Sequence, residues 1–411
     1  MQNKAGHMTH VVVIGAGQAG ASLVAKLRSD GFDGEITLIG QEPVPPYQRP
    51  PLSKAFLLGE MEEERLYLRP AAFYAEHAIG LRTATAATAI DTAARTVTLS
   101  DGEVLSYDAL ALTMGSRPRR LPGAIGGDLA GVLTMRDLAD AERMAPELVE
   151  GRRVLIVGGG YIGLEAAAVC AKKGLQVTLV EAAPRILQRV AAPETSDYFR
   201  ALHRAHGVDI REGTGLDRLT GGDGRVTGAR LADGTEMAID FALVGVGIIP
   251  NTDLAQAAGI VVDNGIVTDA QCRTSDPHVW AAGDCATLAW KGARIRLESV
   301  GNAIDQAECA AQNIMGQVTD YVPQPWFWSD QYDCKLQIAG LNIGYDAVHV
   351  RPSEGEARSH WYYAGDRLIA VDAMNDSRAY MIGKRLIEMG KSPAPVVVTD
   401  PSTDLKPLLK A

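Results

Sequence analysis

The sequence predicts an α/β chain that repeats one strand–glycine turn–helix unit and ends in a small α+β domain. Three observations carry that expectation. Val154 to Glu165 reads Val-Leu-Ile-Val-Gly-Gly-Gly-Tyr-Ile-Gly-Leu-Glu, an apolar run ending in glycines and followed by helix-forming residues. The same design stands earlier at Gly15, Gly17 and Gly20, after the apolar run His10 to Ile14. Beyond Pro325, alternating apolar runs replace the glycine turns.

The glycines of the second copy, Gly158, Gly160 and Gly163, form a GxGxxG pattern between strand and helix, the context that makes the pattern informative. The first allows a tight turn, the second lets the backbone approach a pyrophosphate, and the third lets helix and strand pack closely. Tyr161 and Ile162 lie inside this loop, whose helix amides face the diphosphate. The strand Gln176 to Val180 then ends at Glu181, placed to bond a ribose hydroxyl. Two such Rossmann-like units in one chain suggest electrons passing between two dinucleotides. In the first copy the position matching Glu181 is Gly40, and Glu42 follows two residues later.

The elements follow in order. Strands are expected at His10–Ile14 and Glu35–Ile39, with a helix over Ala21–Arg28 between them. Pro43 to Lys54 contains five prolines, which fix an extended, rigid path. With Arg49 and Lys54 it reads either as a floor for a flavin or as a surface loop with solvated charges. Val97 to Tyr107 is a hairpin around Asp101-Gly102, and Ala109 to Arg117 is a strand entering a Thr-x-Gly turn. A second hairpin turns at Asp233-Gly234, and Phe241 to Val246 is a strand leading to Gly247. Near Val279 another strand enters Ala-Ala-Gly-Asp-Cys-Ala, leaving Asp284 at a strand end, where open α/β sheets meet ligands. The segment after Gly301 is helical. Pro323 to Pro325 mark a linker, followed by Trp326-Phe327-Trp328, strands at His360–Ala364 and Arg367–Met374, and a helix over Arg378–Met389. The domains expected are 9–115 and 250–325 for the split first fold, 116–249 for the second, and 326–411 for the C-terminal domain.

Bulk properties narrow the function. Among 411 residues, 46% are hydrophobic and 22% charged, as in globular proteins. A net charge of −10 argues against a general nucleic-acid or membrane surface. No apolar run reaches the ~18 residues of a spanning helix. Residues 1–8 lack the apolar core of a secretory signal and read as a disordered leader or a cloning remnant. Five scattered cysteines without CxxC suggest reduced thiols in a cytoplasmic setting. His203 and His206 read as residues of a solvated helix rather than metal ligands, and no metal is expected.

The motifs together resemble the FAD-dependent NADH:ferredoxin reductases of bacterial oxygenase systems, the putidaredoxin reductase type and the reductases of aromatic-ring dioxygenases. The resemblance rests on Gly-Ala-Gly-Gln-Ala-Gly (15–20), Arg-Pro-Pro-Leu-Ser-Lys (49–54), Thr-Met-Gly-Ser-Arg-Pro (113–118) and Gly-Gly-Gly-Tyr-Ile-Gly-Leu-Glu (158–165). It extends through Ala-Gly-Asp-Cys-Ala (282–286), Glu-Ser-Val-Gly-Asn-Ala (298–303) and Pro-Trp-Phe-Trp-Ser-Asp-Gln (325–331). It implies FAD in the first fold and NADH in the second. Ala16 and Ala19 then lie on the FAD pyrophosphate, and Gln41 or Glu42 holds the adenosine ribose. Arg49 and Lys54 belong to the flavin-side segment, with Lys54 near flavin N5. Ala87 and Arg136 match positions on the adenine or pyrophosphate side. Asp284 is expected on the ribityl chain, with Glu298 and the Val300 amide at the flavin end. Met114 departs from the family's usual Thr, at a turn where backbone geometry matters more.

Flavin converts a two-electron donor into single electrons for an iron–sulfur protein, so the partner implied is a two-iron two-sulfur ferredoxin serving a haem-thiolate monooxygenase or a ring-hydroxylating dioxygenase. Glu165 is expected either to pair with Lys54 as a buried ion pair bordering N5 or to be a surface acid. Glu181 favours NADH, whereas Arg185 and Arg189 argue for NADPH. The resemblance implies that Trp328 lies near the flavin edge facing the partner, although the strand-like alternation of Trp326 and Trp328 also lets one of them fill core. Arg294, Arg296 and Lys335 are candidates for docking an acidic ferredoxin. A disulfide reductase or NADH peroxidase needs a cysteine near Lys54, and the first cysteine is Cys170. A rubredoxin reductase and an NADH-sensing flavin switch remain as alternatives.

Overall fold

The computed structural model describes residues 8–410, so the expectation for the leader falls, apart from Met8, outside the described residues. The chain divides into two compact units. One comprises residues 1–48, 63–117 and 249–325; the other comprises 49–62, 118–248 and 326–411. The proline segment after Arg49 therefore groups with the second glycine turn rather than with the first.

The first unit is built on a five-stranded parallel sheet in the order Val279–Ala281, Ala109–Leu112, His10–Ile14, Glu35–Ile39, Ile79–Arg82. Its central strands are apolar because both faces are covered, one by helices and the other mainly by the three-stranded sheet that carries Ile90, Val97 and Leu99; Val11, Val12 and Val13 are fully buried. The helices Gln18–Ser29 and Val300–Ile314 pack into one core with Leu23, Val24, Ala307 and Ala310. The hairpin at Asp101-Gly102 forms, within a three-stranded sheet of its own.

The second unit repeats the design in the order Asp209–Glu212, Gln176–Glu181, Arg153–Val157, Phe241–Val244, Val132–Leu133, again all parallel. The helix Tyr161–Lys172 follows the central strand and buries one continuous run from Gly163 to Cys170. Residues 326–374 fold into a five-stranded antiparallel sheet, Trp326–Gln331, Cys334–Gly340, Arg367–Met374, Arg358–Ala364, Ala347–Pro352. The helix Ser377–Glu388 lies on it so closely that a Cβ at Gly383 would stand 2.7 Å from Val371 Cγ2.

Two local expectations fail. The proline segment is not extended throughout. Pro50–Ser53 is a turn of 3₁₀ helix with proline at its first positions, leading into Ala55–Leu58. Proline's fixed φ suits a first helical turn, where the missing N–H has no intrahelical partner anyway. The helix carrying His203 and His206 is not solvated on both counts. His206 is exposed, but His203 is fully buried and bonds to Gln331 Oε1 at 2.8 Å.

Candidate functional site

Each unit carries one glycine cradle, and the two match closely. At Gly15 φ is +111°, and a Cβ would lie 2.3 Å from Thr113 O; at Gly158 φ is +109°, and a Cβ would lie 2.4 Å from Gly245 O. The third glycines are equally crowded, with a Cβ at Gly20 falling 2.1 Å from Gly15 O and one at Gly163 falling 2.0 Å from Gly158 O. The middle glycines differ in kind. Gly17 and Gly160 have ordinary extended backbones and nothing within 4 Å of a would-be Cβ. Only closeness to something outside the chain makes a side chain unwelcome there, which is what a dinucleotide pyrophosphate requires. No side chain caps either of the following helices, so their first-turn amides face the open side. By contrast, Ser299 Oγ accepts from Asn302 N at 3.1 Å and caps the helix opened by Val300.

Around the first cradle, Thr113 Oγ1 donates to Ile14 O at 3.1 Å and to Gly15 O at 2.9 Å, tying the Thr-Met-Gly turn to the loop. Ala16 and Ala19 lie in the loop and its helix. Gln41 is exposed at the end of the next strand, while Glu42 is half-buried and accepts from the Tyr47 hydroxyl at 2.5 Å. Ala87 begins the strand Ala87–Asp91. Ser116 Oγ donates to Asp284 Oδ2 at 2.8 Å, fixing that carboxylate at the end of its strand. Glu298 bonds to Arg296 at 2.6 Å.

Around the second cradle, Glu181 braces the loop directly. Its Oε2 accepts from Gly159 N at 2.7 Å and its Oε1 from Ala183 N at 2.8 Å. Each oxygen keeps a lone pair for a ribose hydroxyl. Arg185 is turned toward Ser196 Oγ, 2.6 Å away, and Arg189 is exposed. Tyr161 packs its ring 5.0 Å from that of Phe327, and its hydroxyl is buried with no partner among the described residues. Ile162 is largely exposed, and Gly247 has φ of +101° with open space about it.

The same unit holds the ion pair. Glu165 is 3% exposed and lies on the inner face of its helix, so it is no surface acid. Its Oε2 is 3.0 Å from Lys54 Nζ and accepts from Ser53 Oγ at 3.0 Å, and its Oε1 accepts from Ser329 Oγ at 2.7 Å. Burial pushes its carboxyl above the usual range, against the pull of Lys54 and the two hydroxyls. Arg49, at the start of the same 3₁₀ turn, donates to Arg136 O at 3.0 Å, which gathers two further expected residues into one corner.

The tryptophans occupy one face of their strand. Trp326 and Trp328 stack with centroids 5.4 Å apart, and both are half-exposed, so neither is core; alternation sends Phe327 the other way, against Tyr161. They border a shallow cavity of about 170 Å³ with Lys335, Gln337 and Tyr380. Of the expected docking cations, Lys335 is exposed. Arg296 is a structural residue instead, its side chain 9% exposed and bonded to Glu298, Asp284 O and Asn264 O. Arg294 stands 3.8 Å from Asp263.

Sequence reasoning missed Ser53, Ser329, Gln331 and His203. A signal existed, because Ser53 precedes Lys54, and Ser329 and Gln331 share a strand face with Phe327 by the two-residue period. The chemistry-bearing thiols are elsewhere: all five cysteines are free and buried, and the segment 49–62 holds none. No group of metal-ligating side chains occurs among the described residues. No described helix is long and apolar enough to cross a membrane.

Comparison with known proteins places this arrangement. The pyridine nucleotide-disulphide oxidoreductase family matches residues 9–307, and the Reductase C-terminal family matches residues 326–409. The chain is 45% identical, over 96% of both chains, to a ferredoxin–NAD(P)(+) reductase of Sphingomonas sp.. It is 42% identical to the putidaredoxin reductase of Pseudomonas putida, over 98% of this chain and 97% of that one. Among solved structures it is similar to the reductase in a covalent putidaredoxin reductase–putidaredoxin complex, with TM-score 0.94, 41% identity and 98% of each chain covered.

Proposed function

The chain belongs to the pyridine nucleotide-disulphide oxidoreductase family, among its ferredoxin reductases, and from that membership we propose how its residues divide the work. The enzyme takes electrons from NAD(P)H through FAD and delivers them to a ferredoxin of an oxygenase system. FAD, when bound, accepts two electrons together and releases them one at a time. The observation that carries the reading is the pair of open middle glycines, Gly17 and Gly160, each between two closed ones.

FAD belongs to the cradle of Gly15, Gly17 and Gly20, with Ala16, Ala19, Gln41, Glu42, Ala87, Asp284, Glu298 and Val300 around it. Arg49 and Arg136, held together by their own hydrogen bond, are assigned to its flavin or pyrophosphate side. The nicotinamide nucleotide belongs to Gly158, Gly160 and Gly163, with Tyr161, Ile162, Gly247 and Glu181. We assign NADH, because the Glu181 carboxylate accepts from a 2′-hydroxyl and repels a 2′-phosphate, while Arg185 is engaged with Ser196.

Lys54 and Glu165 are the catalytic pair in this reading. The ammonium presents a fixed positive charge and N–H donors at the reacting end, and Glu165 keeps that side chain in one rotamer. A half-buried cation held by a buried carboxylate stands in the segment where a disulfide reductase needs its thiols. Trp328 and Lys335 are assigned to the face that meets the iron–sulfur partner. The chain is proposed to work in the cytoplasm, feeding a haem-thiolate monooxygenase or a ring-hydroxylating dioxygenase through a two-iron two-sulfur ferredoxin.

The test is NADH-driven reduction of cytochrome c with and without such a ferredoxin. Strong dependence on the two-iron protein is expected. Turnover only with a single-iron rubredoxin would reassign the acceptor. Tight NADH binding with negligible turnover would point to a switch protein.

A further inference from the structure

The buried ion pair is not held by its immediate neighbours alone. A file of polar side chains runs inward to it from the rim of the second unit. Tyr332 Oη lies 3.3 Å from His203 Nδ1, His203 Nε2 is 2.8 Å from Gln331 Oε1, Gln331 Nε2 is 3.1 Å from Ser329 Oγ, and Ser329 Oγ is 2.7 Å from Glu165 Oε1. Ser329, Gln331 and His203 are 0% exposed, and Glu165 is 3%. The outer end is closed by the exposed His206, whose ring stacks on Tyr332 at 3.6 Å and 13°.

The orientation of the Gln331 amide sets the direction of the file. Gln331 Oε1 can only accept, so His203 carries its proton on Nε2, and Nδ1 accepts from Tyr332. The Gln331 amide can only donate, so it occupies a lone pair of Ser329 Oγ and leaves that hydroxyl's proton for Glu165. All four donors therefore point the same way, toward the carboxylate. Reversing Gln331 would require the other His203 tautomer and would set the Gln331 carbonyl in competition with Glu165 for the Ser329 proton, leaving the buried carboxylate short of a donor. Burial keeps His203 neutral, pushing its imidazole down to about 4, so the file holds its direction across the working pH range. Facing Glu165 directly are Lys54 and Ser53 from the proline segment and Ser329 from the strand, and Lys54 is the charge among them.

We propose that Gln331 and His203 are positioning residues for the reductase reaction, fixing Ser329 as a donor so that Glu165 stays ionised and Lys54 stays in place. A merely structural pair would contribute packing and stability and leave the protonation of Glu165 unchanged. The proposal rests on reading Lys54 and Glu165 as the catalytic pair, but its readout is the carboxyl group itself and needs no ferredoxin.

The experiment is infrared spectroscopy of the FAD-loaded protein with ¹³C-labelled glutamate, titrated with pH. The Glu165 band is assigned by its loss in Glu165→Gln. Losing the alignment of a hydrogen bond to a charged group in Gln331→Met is expected to move Glu165 protonation upward by about one pH unit, tenfold in the equilibrium. NADH-driven kcat should fall with little change in KM. Ser329→Thr, which keeps the hydroxyl, should retain the wild-type band. Should Gln331→Met fold poorly, His203→Phe keeps the aromatic bulk and removes the aligning donor, and it is expected to move the band in the same direction. A carboxylate band that titrates as in the wild type in whichever of these two variants folds would overturn the proposal.

Discussion

Lys54→Met offers the clearest perturbation of the ion pair. It removes the ammonium 3.0 Å from Glu165 Oε2 and leaves a carboxylate that is 3% exposed. Removing one partner of a buried pair costs ~3–5 kcal/mol. Ser53 and Ser329 keep donating to the stranded carboxylate, which sets the lower end, about 3 kcal/mol, as the expectation. At roughly 2–4 °C per kcal/mol, melting should fall by roughly 6–12 °C. The sign with pH is fixed. Without Lys54, burial drives the folded-state carboxyl further above its unfolded value, so the folded chain holds a proton that the unfolded chain has lost. Stability relative to wild type is therefore nearly complete at acidic pH and is lost as pH rises. The assay is thermal melting of both proteins at matched cofactor loading from pH 5 to pH 8. Replacing both partners, Lys54→Met with Glu165→Leu, should recover much of the loss, because no buried charge then remains. If Lys54→Met melts with the wild type at pH 8, the pair carries no coupling and the reasoning about it is wrong.

Other predictions follow from the same geometry. Gly160→Ala is expected to keep its melting temperature while KM for NADH rises at least tenfold, and Gly17→Ala to fold but purify with reduced FAD; Gly163→Ala, 2.0 Å from Gly158 O, should fail to fold, and expression with flavin content checks all three. Glu181→Ala should lower the kcat/KM ratio of NADH to NADPH by about tenfold or more and also loosen the loop, since both carboxylate oxygens accept backbone amides. His203 and His360, each pushed down to about 4 by burial, should each withdraw roughly 3 kcal/mol of stability as pH falls from 6.5 toward 4, opposed by Asp372, which burial pushes up to about 6. Melting against pH should be flatter on the acid side in His203→Gln.

The parallel sheets were legible because their strands are continuous apolar runs next to glycine turns, a pattern that local residues determine. The two cradles were legible for the same reason, whereas Glu165 stood open between a pair with Lys54 and a surface acid until the fold brought the two together. What lay beyond local reading was set by tertiary packing. The turn at Pro50 looks extended by proline count, yet a helix start uses the same φ. His203 looks solvated because its helix has a polar face, yet the strand bearing Gln331 covers it. Arg296 looks like a free docking charge, yet Glu298 two residues on and two carbonyls hold it inward. None of these partners is identifiable without knowing which segments meet.

The most direct test is an anaerobic titration of the purified yellow protein with NADH in the presence of excess oxidised two-iron ferredoxin. Two ferredoxins should be reduced for each NADH consumed, and the flavin should return to its oxidised spectrum until the ferredoxin is exhausted. Flavin that bleaches with NADH while the ferredoxin stays oxidised would contradict the account.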